Sequence, residues 1–124
     1  MKYDTHNYEP PAPVVSVVAF RPFSRVSKAG LGKIDSGADM TVIPIDWAER
    51  LSLLPSSVID VRGYDGKVEE METYFIRMEF TGFRFPLVEV LVSNRKDVLI
   101  GRDVLNGLKA ELNGKKLELK LIDP

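Results

Sequence analysis

The sequence predicts an all-β domain, a small barrel or sandwich. Three observations point there. β-Branched and aromatic runs recur along the whole chain, turn signals separate them at close spacing, and only two short segments have helical character. At 124 residues and 44% hydrophobic content the chain is the size of one ordinary domain and can bury a core.

Residues 1–13 are polar and end Pro10-Pro11-Ala12-Pro13. Proline withholds a backbone donor and favours extended chain, so this stretch is expected to be an extended N-terminal tail, with the domain over 14–124. Val14 to Phe20 is a β-branched strand. Arg21 to Gly32 contains Pro22, Gly30 and Gly32 and reads as a connection with one short strand inside it. Ile45 to Leu51 is the first helix, limited by Pro55. Val58 to Arg62 and Val68 to Phe80 are strands flanking Gly63-Tyr64-Asp65-Gly66-Lys67. Asp-Gly between β-prone runs signals a hairpin turn with both central residues at positive φ. Tyr74, Ile76, Met78 and Phe80 alternate with Phe75, Arg77 and Glu79, the period of a half-buried strand. Thr81-Gly82 turns the chain into a strand from Phe85 to Val92. Asp97 to Ile100 is a short apolar run stopped by Gly101, and Arg102 to Leu108 can form one or two helical turns. Asn113-Gly114 turns the chain into a last strand, where Leu117, Leu119 and Leu121 alternate with charged residues.

Composition excludes several chemistries. A formal net charge of −1 gives no electrostatic reason to expect nucleic acid or an anionic membrane as partner. The absence of cysteine removes disulfides, thiolate metal sites and a cysteine nucleophile. His6 is the one histidine, so neither a serine–histidine hydrolase nor a catalytic metal site is expected. No cofactor is called for. No apolar run approaches the roughly 20 residues of a membrane helix, and Met1 to His6 lacks the apolar region of a signal peptide. The expectation is a soluble, cytoplasmic protein.

The most informative stretch is Asp35-Ser36-Gly37-Ala38-Asp39-Met40-Thr41-Val42-Ile43-Pro44. It puts a carboxylate at an Asp-Ser-Gly turn between apolar flanks. Gly37, with no Cβ, lets another backbone approach closely. The second informative stretch is Val98-Leu99-Ile100-Gly101-Arg102-Asp103-Val104-Leu105. Together, in this order, in a β-rich chain of this length, the two segments resemble the paired signatures of the retroviral-type (retropepsin-like) aspartic proteases and their single-domain cellular and bacterial relatives. The resemblance runs from Val14 to Ile122.

That resemblance implies a small closed barrel of the acid-protease type with one or two short helices, forming half of a two-fold symmetric dimer. It implies an aspartic endopeptidase in which each subunit contributes Asp35. The partners would be a second copy of the chain and a polypeptide substrate. Ser36, Gly37 and Ala38 match the active-site turn. Gly37 and Asp39 match positions that bind substrate backbone, and Gly63, Tyr64, Asp65 and Gly66 match the hairpin flap that closes over substrate. Thr41, Gly101 and Arg102 match structural supports, with Arg102 paired to Asp39. Lys33 departs from the pattern, because an apolar residue is expected two positions before the catalytic aspartate. The alternative function is a retropepsin-like dimerisation or peptide-binding module without turnover.

Overall fold

The computed structural model describes residues 1–63 and 65–124. Among the described residues nine strands and two short helices follow in the order β1 (Val14–Phe20), β2 (Ser27–Ile34), β3 (Val42–Pro44), α1 (Ile45–Arg50), β4 (Ser57–Arg62), β5 (Val68–Phe80), β6 (Phe83–Ser93), β7 (Val98–Ile100), α2 (Arg102–Leu105), β8 (Lys109–Asn113) and β9 (Glu118–Ile122). Six strands close a ring in the order β1-β2-β7-β3-β6-β5, because β5 also pairs with β1. The β2–β7 and β3–β6 pairs are parallel, and the other pairs of the ring are antiparallel. Closure removes the exposed edges that an open sheet would carry. Strand β4 stands outside the ring and forms a hairpin with the first half of β5.

Alternation fills the barrel. Val15, Val17 and Ala19 of β1 point inward, as do Ile76, Met78 and Phe80 of β5, Val88 and Val90 of β6, and Val98 and Ile100 of β7. Trp47 and Leu51 of the first helical segment close one side, and Val104 and Leu105 of α2 close another. Leu119 of β9 completes the core. Among the described residues no helix is long and apolar enough to cross a membrane.

The connection expected over Arg21 to Gly32 is shorter than its composition suggests. Ser27 to Ile34 is a full strand, leaving only Arg21 to Val26 between β1 and β2. Its glycines serve packing. A Cβ on Gly30 would lie 2.7 Å from the Trp47 ring, and one on Gly32 would lie 2.4 Å from Val17. The strand is glycine-bearing because large side chains from α1 and β1 occupy that space.

In the β4–β5 turn Gly66 has φ +78°. The Gly66 N–H donates to Gly63 C=O at 3.1 Å, Gly63 N–H donates to Lys67 C=O at 3.0 Å, and the Asp65 carboxylate accepts from Lys67 N–H. Gly66 supplies a left-handed residue at no steric cost. Tyr64, expected at this tip, lies outside the described residues.

Residues 1–13 turn back on themselves between Asp4 and Ala12 and are tied to the end of the chain at residues 1–3. Met1 exchanges backbone hydrogen bonds with Leu119, the Tyr3 N–H donates to Leu117 C=O, and Asp4 pairs with Ala12. An isolated bridge between Lys2 and Glu118 thus sets the chain's beginning beside β9.

Candidate active site

Strand β2 delivers Asp35 to the end of the barrel. The Asp35 N–H donates to Ile100 C=O at 2.9 Å, which continues the β2–β7 ladder one residue past Ile34. The chain then turns. Asp35 C=O accepts from Ala38 N–H, and the Asp35 Oδ1 accepts from Gly37 N–H at 3.0 Å. Asp35 is half-buried, while Ser36 and Gly37 are exposed. A Cβ on Gly37 would approach Asp35 Oδ1 to 3.2 Å, so glycine keeps this carboxylate uncrowded. Among the described residues the second carboxylate oxygen of Asp35 has no hydrogen-bond partner.

The two sequence segments meet at this turn. The Arg102 N–H donates to Ala38 C=O at 2.9 Å. The Arg102 guanidinium donates to Ser36 C=O at 3.0 Å and pairs with the Asp39 carboxylate. Gly101 sits against the Ala38 and Met40 backbone so closely that a Cβ would clash. Thr41 is fully buried; its hydroxyl accepts from Gly101 N–H at 3.1 Å and donates to Asp103 Oδ1 at 2.8 Å. Asp103 Oδ2 accepts the Thr41 N–H at 3.0 Å. Ala38, Asp39, Thr41, Gly101 and Arg102 are thus gathered within one hydrogen-bonded knot around Asp35.

Asp103 escaped sequence reasoning. An aspartate following arginine at the start of a helix reads as a surface charge. The available signal was its position beside Gly101-Arg102, opposite a threonine in the first segment. Its carboxylate binds the Thr41 main chain and side chain together, and a buried threonine needs such a partner. Thr41→Val should therefore cost about 2 kcal/mol, because it strands the Gly101 N–H and leaves Asp103 with one bond fewer. Thr41→Ser keeps the hydroxyl and should lose visibly less. Urea denaturation of the two variants checks this, and equal midpoints would contradict it.

The Asp39–Arg102 pair is different in kind. Its side chains are 83% and 47% exposed. Exposed ion pairs are screened and contribute at most about 1 kcal/mol. Arg102→Ala should therefore shift the melting temperature of the single chain only slightly, and a large loss of stability would overturn that estimate.

The β4–β5 hairpin is rooted by a polar cluster. Thr73, fully buried, donates to Glu89 Oε2 at 2.6 Å, and Ser57 donates to the same oxygen at 3.0 Å. The Thr73 hydrogen bond first, and the Ser57 one second, hold the Glu89 carboxyl below its usual range. A depressed carboxylate favours the fold above the unfolded value of about 4.3, and that contribution disappears as pH falls through the folded value. Thr73→Val should raise the Glu89 titration midpoint, as followed by NMR; an unmoved midpoint would refute the assignment. The hairpin tip carries Gly63, Asp65 and Gly66, all exposed, at the far end from this root.

Among the described acids at this turn, Asp35 is the one left without a side-chain partner. Asp39 is engaged by Arg102, and Asp103 is engaged by Thr41. Among the described residues no three His, Cys, Asp or Glu side chains converge as a metal site.

Comparison with solved structures gives the fold. The chain is similar to the foamy viral protease-reverse transcriptase, with 17% identity and a TM-score of 0.60 over 79% of this chain, although it spans only 12% of that longer protein. It is similar to EIAV protease, solved with the inhibitor HBY-793, at 20% identity, TM-score 0.58, covering 83% of this chain and 92% of that one. A retropepsin-like aspartic protease from Rickettsia conorii gives 14% identity, TM-score 0.53, and coverage of 90% and 92%. At these identities the likeness establishes a retropepsin-like fold. No curated protein matches by sequence. A family model described as aspartyl protease matches residues 29–104, well over half of the 124 residues. That match takes in the Asp35 turn, the β4–β5 hairpin and the Gly101-Arg102 pair, so the chain belongs to the aspartyl protease family.

Proposed function

We propose that the protein is an aspartic endopeptidase, active as a homodimer in which two Asp35 carboxylates share one water. The observation that carries this is the state of Asp35. It is fixed by one oxygen to Gly37, its other oxygen is open, and the nearby acids Asp39 and Asp103 are already paired. A second free carboxylate then comes from a second copy.

Two carboxylates placed a few ångströms apart do not both ionise cheaply, so the pair holds one proton between them, as aspartic proteases generally do. The ionised Asp35 takes a proton from water. The protonated Asp35 donates to the peptide carbonyl oxygen while the water oxygen attacks the carbonyl carbon. The tetrahedral diol then collapses: the Asp35 that took the water proton gives it to the departing nitrogen as the C–N bond breaks, the other Asp35 takes a proton back from a diol hydroxyl, and no covalent enzyme intermediate forms. Gly37 and Asp39 offer main-chain groups to the extended substrate. The hairpin tip with Gly63, Asp65 and Gly66 serves as the flap that covers it and excludes water. Strand β8 supports association of two copies, because among the described residues its outer edge is unpaired and Leu112 on it is 51% exposed. The absence of cysteine fits a reducing cytoplasm.

The test is cleavage of a peptide library by the purified protein between about pH 3 and 7, the range in which a shared proton can persist. Cleavage should be blocked by a transition-state mimic carrying a hydroxyl at the scissile position. Activity per subunit should fall on dilution through the dimer dissociation constant. A well-folded dimer that cleaves nothing across that range would leave the silent binding module as the correct reading.

A further inference from the structure

Lys33 lies two residues before Asp35, at a point where the strand is still extended. Side chains alternate along such a strand. Gly32 and Ile34 are buried and face the core, with Ile34 6% exposed, so Lys33 and Asp35 share the opposite face. Their separation along the strand is about 7 Å. Leu99 of β7, opposite Lys33 in the register, is half-buried on the same face.

A wall built by the N-terminal segment stands beside Lys33. The Lys33 ammonium lies 5.8 Å from the centre of the Tyr8 ring. The Tyr8 hydroxyl donates to Asp97 Oδ2 at 2.6 Å, and Arg95 donates twice to Asp97 Oδ1, at 3.1 and 2.7 Å. The Asp97 charge is therefore answered by Arg95. Asp4, the other acid near Tyr8, spends both oxygens on His6 and Asn7. Among the described residues Lys33 has no carboxylate within ion-pair distance. It is a cation resting on an aromatic face, one pleat from the reacting carboxylate.

We propose that Lys33 determines specificity at the Asp35 site and selects an acidic side chain, Asp or Glu, on the substrate residue flanking the scissile bond. This rests on the reading of Asp35 as catalytic. A peptide lying extended across Asp35 places the side chain next to its reacting carbonyl within one residue spacing of that carboxylate, which is where Lys33 stands. A carboxylate entering there gains a charge-assisted hydrogen bond, stronger than the stacking on Tyr8 that it supplements. The Tyr8–Asp97–Arg95 chain keeps the wall in place and prevents Asp97 from repelling the incoming acid.

The experiment measures kcat/KM for matched peptides carrying Glu, Gln or Lys on either side of one scissile bond. Wild-type protein should favour Glu over the isosteric Gln by about tenfold or more. Lys33→Arg should keep that preference, Lys33→Gln should erase it, and Lys33→Glu should invert it towards Lys. Circular dichroism and melting of each variant separate misfolding from altered selection, and the uncharged Gln variant serves if the Glu variant does not fold. Cleavage by the wild type without preference for Glu, or a preference unmoved by Lys33→Gln, overturns the proposal and leaves the catalytic reading standing. A folded wild type that cleaves none of the peptides removes both.

Discussion

Gly101→Ala is expected to cost about 3 kcal/mol of folding stability and roughly 10 °C of melting temperature. The backbone of Gly101 has φ −90° and ψ −178°, which alanine adopts freely, so the cost is steric alone. The added Cβ would lie 2.7 Å from the Met40 carbonyl carbon, 2.8 Å from its oxygen and 3.0 Å from the Ala38 oxygen. All three are backbone atoms, so no side-chain rotation relieves the contact. Relief requires the two signature segments to separate, and they are tied at Arg102 N–H to Ala38 C=O, at Gly101 N–H to the Thr41 hydroxyl, and at Thr41 to Asp103. Gly114→Ala is the control. Nothing lies within 4 Å of its built Cβ, and its substitution should change stability by less than about 0.5 kcal/mol. Thermal melting of the two variants decides, and a Gly101→Ala protein that melts with the wild type would show that the two segments have slack.

The same contact explains what was legible in the sequence. Asp35 to Pro44 and Val98 to Leu105 are read because each carries a chain of unusual residues in fixed order, and the structure joins them. Val14–Phe20 and the second half of Val68–Phe80 are read to the residue, since Val15, Val17 and Ala19 and Ile76, Met78 and Phe80 make their inward faces apolar. Ser27–Ile34 is not, because its inward positions were taken over by Trp47, Val17 and Ile100, leaving glycines where a pattern was sought. Pairing of residues 1–3 with β9 joins the two ends of the chain, and local periodicity holds no information about that. Asp103 was hidden for a related reason: its partner Thr41 is 62 residues away, and neither residue is unusual alone.

Asp35→Asn is expected to remove peptide cleavage by about 10²–10⁴-fold or more, the range that general acid–base assistance supplies. The fold should survive. Asparagine keeps an oxygen at Oδ1 to accept the Gly37 N–H at 3.0 Å, and it has the shape of aspartate. Melting should therefore change by less than about 1 kcal/mol, which separates this variant from Gly101→Ala. The sharper version mixes subunits. In a dimer that needs both carboxylates, random exchange with an equal amount of Asp35→Asn chains leaves about one quarter of the dimers with two aspartates, and excess variant suppresses the remainder. A chain that worked alone would be merely diluted, and its activity would track the wild-type content linearly. The quadratic fall follows from the single chain's own geometry, since Asp39 and Asp103 are committed to Arg102 and Thr41 and neither can substitute for the missing acid. A linear titration curve, with a folded dimer confirmed by sedimentation, would require the second proton-transfer group to come from within one chain.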